Sequence, residues 1–253
     1  MNWARGLVVK SSVIMVFLLI ALSLPLAQWA PGTASIAWAG EKGWKSIFDG
    51  KTLNGWKAPD MSMWSIEEGA IAGTVTREHK PPENLFIVWQ GGKVDDFELK
   101  FKFHMFGEKA NSGMQFRSQV HERGLVHGYQ ADITKQGKSL GGIWDEYGPR
   151  NSLAARGEKS VIDEIGKKTV TQFADAAELM KGIDLEQWNE YHIIAQGDHV
   201  TLKINGRVTS ELTDREKGKA LASGVLAMPV IPEPMKVQYK DIRLKSLKKA
   251  STE

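Results

Sequence analysis

The sequence predicts an all-β fold, a two-sheet antiparallel sandwich or jelly roll carrying one short helix. Three observations point there. Long stretches alternate apolar and polar residues with period two. Turn dipeptides separate them. A single segment shows the helical period instead.

The first 39 residues differ from the rest of the 253. Arg5 and Lys10 stand at a basic start with no acid, and "SSVIMVFLLIALSLPLA" is a nearly unbroken apolar run. Small residues follow, with Ala37 and Ala39 framing a cut before Gly40. That order predicts a signal peptide over 1–39 and an exported product, periplasmic or extracellular, with no stable membrane anchor after cleavage. Residues 40–253 are then one β-sandwich domain, its core spanning about 43–247.

Strand by strand, "DFELKFKFHM" is the plainest. Phe97, Leu99, Phe101, Phe103 and Met105 share one face; Glu98, Lys100, Lys102 and His104 share the other. "GMQFRSQV" is read the same way, with Met114, Phe116 and Val120 inward and Gln115, Arg117 and Gln119 outward. In "GYQADIT", Tyr129, Ala131 and Ile133 oppose Gln130, Asp132 and Thr134. In residues 141–147, Trp144 and Glu146 share one parity and Ile143, Asp145 and Tyr147 the other.

"TQFADAAELMKG" is the expected helix. Phe173, Ala176, Ala177 and Met180 fall at i, i+3, i+4 and i+7, with Thr171 as cap and Gly182 as stop. Residues 188–212 read as a meander, with Gly197-Asp198 and Asn205-Gly206 as turns. "MPVIPEP" (228–234) reads as a loop or irregular edge, because proline cannot donate to a ladder. In "KVQYKDIRLKSL" the apolar parity switches between Tyr239 and Ile242, which predicts a bulge near Lys240-Asp241.

Composition narrows the function. Loss of Arg5 and Lys10 takes the formal net charge of +3 to about +1, too little for a nucleic-acid footprint. There is no cysteine. That removes disulfides, a thiolate nucleophile, a cysteine zinc site and a lipoprotein anchor. The six histidines, at 79, 104, 121, 127, 192 and 199, have no metal-motif spacing. No ligand set is readable, so cofactors stay unknown and a divalent metal stays open. A phosphate loop and a Gly-x-Ser-x-Gly elbow are both missing.

The polar faces of neighbouring strands collect Arg117, Gln130, Asp132, Trp144 and Glu146. A solvated sheet face is one reading. A sugar site is the other, with planar groups for paired hydroxyls and an aromatic platform for the ring. A laminarinase-like retaining glycosidase needs acids at i, i+2 and i+4, where this chain has Gln130, Asp132 and Thr134.

"WKSIFDGKTLNGWKA", "NSGMQFRS", "GYQADI", "GGIWDEYGPR", "WNEYHIIAQG" and "KVQYKDIRLK" come in order between Trp44 and Lys245. Together they resemble the 3-keto-disaccharide hydrolase domain family. The resemblance implies a concanavalin-like jelly roll and exported sugar metabolism. It implies action on a small-molecule carbohydrate, a glycoside oxidised to a ketone at C3. The ketone acidifies the C2 proton; a base removes it, the C1 group leaves by elimination, and water adds back. In that scheme Glu146 is the acid/base, Asp132 a second acid/base or its orienting partner, and Arg117 the enolate stabiliser. Asn111, Tyr129, Gln130, Trp144, Asp145 and Arg150 bind the sugar.

One departure stands out. Similar family members read Leu-Gln-x-His in the penultimate strand, where this chain has Met228 and Pro229, then Ile231 or Pro232. That keeps a second function in view, a non-catalytic carbohydrate-binding sandwich.

Overall fold

The computed structural model describes residues 42–247. The expected signal peptide lies outside them. Seventeen strands appear in chain order. They are β1 (Trp44–Ser46), β2 (Trp56–Lys57), β3 (Trp64–Glu67), β4 (Ala70–Val75), β5 (Leu85–Trp89) and β6 (Phe97–Phe106). Next come β7 (Asn111–Val120), β8 (Val126–Thr134), β9 (Ile143–Glu146), β10 (Asn151–Ala154), β11 (Glu158–Ile162) and β12 (Lys168–Gln172). Helix α1 (Ala176–Met180) precedes β13 (Asn189–Gln196), β14 (His199–Ile204), β15 (Arg207–Asp214), β16 (Val225–Val230) and β17 (Met235–Ser246).

The strands build two sheets. One has ten strands, in the order β12-β11-β15-β14-β13-β6-β17-β4-β3 with β1 also on β17; the other has seven, β10-β9-β8-β7-β16-β5-β2. Pairing is antiparallel except between β11 and β15, which run parallel. The chain is thus a jelly-roll sandwich, as the alternation predicts.

The inner faces of both sheets make one core. Phe97, Leu99, Phe101, Phe103 and Met105 of β6 are all but sealed from solvent. Each fully buried side chain of this size contributes about 1.5–3 kcal/mol. Tyr191 stacks on Phe101 at 5.3 Å. The Asn205-Gly206 turn has φ of 49° and 78°, the two positive values that a tight hairpin of this type requires. The expected bulge in β17 is present, with a register shift between Lys240 and Arg243 and a φ of 53° at Asp241.

Three local expectations need correction. The helix is one turn, not three. Asp175 caps it by accepting from the amides of Ala177 and Glu178, while Thr171 belongs to β12, which is paired with β11. Ala176 and Leu179 are its buried residues, and Phe173 is exposed. Second, Met228, Pro229 and Val230 are not a loop but the end of β16, inside the seven-stranded sheet. The ladder from β16 to β7 stops at Ala227, so the missing proline N–H falls beyond the last pair. The Pro229 carbonyl instead accepts from the Ser112 hydroxyl.

The third correction concerns β7. The alternation holds up to Phe116 and then fails. Arg117 has φ of 51°, and the β7–β8 register shifts between Phe116 and Gln119. Gly224 presses on this bulge so closely that a Cβ there would lie 2.2 Å from the Arg117 carbonyl carbon. Val120, expected inward, is 49% exposed.

Candidate functional site

β7, β8 and β9 lie side by side. Gly113 pairs with Asp132, Gln115 with Gln130, Gln130 with Trp144, and Gly128 with Glu146. Side chains alternate across a sheet. Tyr129, Ala131 and Ile133 enter the core, so Gln130 and Asp132 point to the opposite face. Trp144 and Glu146 point the same way. Asp132 and Glu146 therefore share a face. They line a cleft of about 190 Å³ with Asn111, Gln130, Thr134, Gln136, Ser139 and Trp144.

The floor of the cleft is fixed from below. The Tyr239 hydroxyl, reaching across the core from β17, donates to the Gly113 carbonyl at 3.0 Å and also contacts Ser112. Tyr191 of β13 points its hydroxyl at the Asp132 carbonyl, 3.5 Å away. Two tyrosines of the ten-stranded sheet thus peg the paired residues Gly113 and Asp132. The wall of the cleft is pinned by Arg156, which donates to the carbonyls of Gly137, Leu140 and Ala176 and so holds the turn carrying Ser139.

A relay of amides orients Asp132. Ser118 donates to Gln115, Gln115 Nε2 to Gln130 Oε1 at 3.1 Å, and Gln130 Nε2 to Asp132 Oδ1 at 2.9 Å. Gly113 makes room for it, because a Cβ there would stand 2.6 Å from Gln130 Cγ. Burial pushes the Asp132 carboxyl up to about 8, against the lowering bond from Gln130 and with help from the charge of Glu146. Burial also raises Glu146, opposed by the amide of Asn84, which donates to its Oε1 at 3.0 Å. Asn84 precedes β5, so its loop spans β16, β7 and β8 to reach β9.

The structure brings together Asn111, Gln130, Asp132, Trp144 and Glu146; of the other four candidates, Asp145 and Arg150 line a neighbouring cleft that shares only Glu146 with this one, and Arg117 and Tyr129 line neither. Arg117 lies at the bulge and is 1% exposed. Its guanidinium donates to the carbonyls of Asp95, Gly197 and Leu221 and pairs with Asp96 at 3.0 Å. It cannot serve as enolate stabiliser in this cleft. Tyr129 is on the core parity and donates to Asp214. Asp145 and Arg150 pair with each other at 2.9 Å. Arg150 also meets Asp214 at 2.7 Å and Glu216 at 3.4 Å. Burial alone would lower the pKa of Arg150; the bonds to Asp145 and Asp214 outweigh it and raise it. Tyr129, Asp145 and Arg150 form a brace behind the cleft rather than a sugar contact within it.

Several residues that line or support the cleft went unselected. Thr134 lines it and Gln115 holds Gln130, and both were readable as outward by alternation. Gln136 and Ser139, which line it, and Asn84, which holds Glu146, sit in loops, where period-two reasoning has no purchase. Among the described residues, no three His, Asp or Glu side chains converge as a metal site. A larger hollow, about 690 Å³, lies beside Lys45, Asp49, Asn54 and Trp89. Its one carboxylate, Asp49, is spent on Lys51 and Thr52, so it offers less chemistry than the smaller cleft.

Comparison with known proteins bears on the family and the fold. The model of the 3-keto-alpha-glucoside-1,2-lyase-like domain matches residues 43–245. No curated protein matches the sequence. Among solved structures, a candidate glycosyl hydrolase from Parabacteroides distasonis is 19% identical with a TM-score of 0.53, covering 81% of this chain and 94% of that one. A Bacillus subtilis protein with a galectin-like fold is 12% identical at TM-score 0.54, covering 77% and 90%. A carbohydrate-binding module from Bacillus subtilis is 13% identical at 0.51, covering 76% and 96%. At these identities the likeness is one of fold.

Proposed function

The chain belongs to the family of 3-keto-alpha-glucoside-1,2-lyase-like domains, and from that premise we propose that it is an exported enzyme cleaving 3-keto-glycosides. The observation that carries the reading is the pair Asp132 and Glu146, two carboxyls on one face of one cleft, both shifted toward the neutral form by burial.

The pair divides the work. Asp132, at about 8, holds a proton at neutral pH. Gln130 occupies its Oδ1, which leaves Oδ2–H to donate to the C3 ketone oxygen. A buried carboxylic acid kept neutral is an effective donor to an enolate. Glu146 is the base that takes the C2 proton. Electrons from the C2–H bond move to the C3 oxygen. Collapse of the enolate breaks the C1–O bond, and the departing oxygen takes the proton that Glu146 carries. Water adds across the unsaturated ketone, so the net change is hydrolysis. Trp144 offers the ring platform, and Asn111 and Gln130 the amides for sugar hydroxyls.

A second reading, sugar binding without turnover, draws support from β16. Met228 and Pro229 stand where similar family members carry Leu-Gln, and Ile231 or Pro232 where they carry the histidine. Incubating the protein with methyl 3-keto-glucoside separates the two. Release of methanol above the no-enzyme rate supports the lyase; saturable binding with no release supports the module.

A further inference from the structure

The ten-stranded sheet ends at β12, and the far side of β12 is bare. All five of its residues, Lys168–Gln172, are exposed, and among the described residues only β11 pairs with it. An open edge presents a row of unpaired N–H and C=O groups, which most chains blunt by shortness, charge, proline or a bulge. The other edge strands here are shorter. β1 has three residues, β2 two and β3 four. β10 has four, with a register break inside it and a φ of 55° at Asn151.

β12 has none of these devices. It pairs with β11 over five consecutive residues without a bulge, and it contains neither proline nor glycine. Its one charge is turned aside, because Lys168 Nζ donates to the Ser152 carbonyl of β10 at 2.8 Å. Of the six large apolar side chains exposed among the described residues, Ile165, Val170 and Phe173 lie in this hairpin or next to it. Half of that surface is thus gathered at one edge, as at a contact site.

The direction of each backbone group follows from the two ends of β12. Asp163 N–H donates to the Lys167 carbonyl, and Phe173 N–H donates to the Gly157 carbonyl. In an antiparallel ladder the N–H and C=O of one residue point to the same side, and those of the next residue to the other. Lys167, Thr169, Thr171 and Phe173 therefore turn toward β11. Lys168, Val170 and Gln172 turn their N–H and C=O outward, with Val170 in the middle. Lys168 lies opposite Ile162 of the core, so Lys168 and Val170 share the inner face of the sheet. Val170 is nonetheless 45% exposed.

We propose that β12 pairs with the same strand of a second copy of this chain, antiparallel about a two-fold axis at Val170. In that register Val170 and the partner's Val170 exchange both backbone bonds, and Lys168 lies opposite the partner's Gln172. Thr169 lies opposite the partner's Thr171 in the closer type of pair, a favourable cross-strand match. No like charges stand opposite each other. The edge is complementary to itself in hydrogen bonding, in charge and in shape. Such a contact closes at two copies. It joins two ten-stranded sheets into one and covers the exposed valines.

Sedimentation of the purified protein from about 1 μM to about 1 mM tests the proposal. The expected result is a monomer–dimer equilibrium in which Val170→Pro and Val170→Lys each raise Kd at least about tenfold. Val170→Pro removes an N–H that β11 does not use, on an edge strand where proline is tolerated. Val170→Lys sets two like charges face to face. Both should keep the wild-type Tm, and if one does not fold, the other carries the test. The chain has no cysteine, so Val170→Cys supplies a single thiol. A short thiol crosslinker should join two copies through it, but not through Val120→Cys, which replaces an exposed valine of the other sheet. A wild type that stays monomeric throughout overturns the proposal. So does a dimer that the folded variants leave unchanged, a ladder of larger polymers, or equal crosslinking from the two cysteine positions.

Discussion

Asp132→Asn offers the sharpest test of the cleft's electrostatics, because it can be read without any substrate. Burial pushes the folded carboxyl up to about 8, from an ordinary value of 3.8. Its pKa is thus higher folded than unfolded, so the folded chain keeps a proton that the unfolded chain releases. The stability associated with this group is complete below about pH 4 and is lost as pH rises toward 8. The slope is about 1.4 kcal/mol per pH unit for one proton. Between about pH 4.5 and 7.5 the wild type loses on the order of 4 kcal/mol that asparagine, which does not titrate, retains. Asparagine preserves the acceptor for Gln130 Nε2, so the relay survives. For a chain of this size the difference is roughly 10 °C in Tm. The assay is urea or thermal unfolding of both proteins across that range. Asp132→Asn should gain on the wild type steadily as pH rises. Two parallel curves would refute the reasoning, since they would mean that water reaches the carboxyl and it ionises normally.

Glu146→Gln should lower kcat on methyl 3-keto-glucoside by about 10²–10⁴-fold, the range for a lost acid/base; its Tm should barely change, because glutamine still accepts from Asn84. The pH profile of kcat/KM should be a bell. Its acid limb follows Glu146, raised above its ordinary value, and its basic limb falls near pH 8 as Asp132 ionises; a plateau through pH 9 would count against the division of roles. Gly113→Ala should cost about 1–3 kcal/mol in unfolding, as overpacking does, and weaken sugar binding by displacing Gln130. Arg117→Met should destabilise by about 3–5 kcal/mol by stranding buried Asp96. If it instead folded normally and lost only turnover, Arg117 would belong in the cleft after all.

The fold was legible because alternation reports burial directly. Where a strand is regular, as in β6, β8 and β9, parity assigned each side chain to its face, and Asp132 and Glu146 followed. Arg117 was misplaced because one positive φ turns the strand, and nothing in "MQFRSQV" marks it; the residue that leaves room for the bulge, Gly224, is more than a hundred residues away. Tyr129 and Arg150 lie close to cleft residues in sequence, yet their partner Asp214 is on the other sheet, and Arg150 in turn holds Asp145. Sequence neighbours of a site are drawn into it by eye, while the long-range ion pair that removes them is invisible. Asn84 shows the reverse case: it is 62 positions from Glu146 and meets it through the fold alone.

The proline in β16 bears on how the seven-stranded sheet is joined. Beyond Ala227 the ladder to β7 is unstitched, and the Ser112–Pro229 bond is the lace that remains there. The sheet is therefore two leaves on a partly sewn spine. One leaf, β7 to β10, carries both carboxyls. The other, β16, β5 and β2, carries the strand that Asn84 leads into. The Asn84–Glu146 bond is a clasp between the leaves. Without that bond Glu146 would lose the amide that lowers its pKa and would be a stronger base. The basicity of Glu146 is thus tied to how the two leaves are joined.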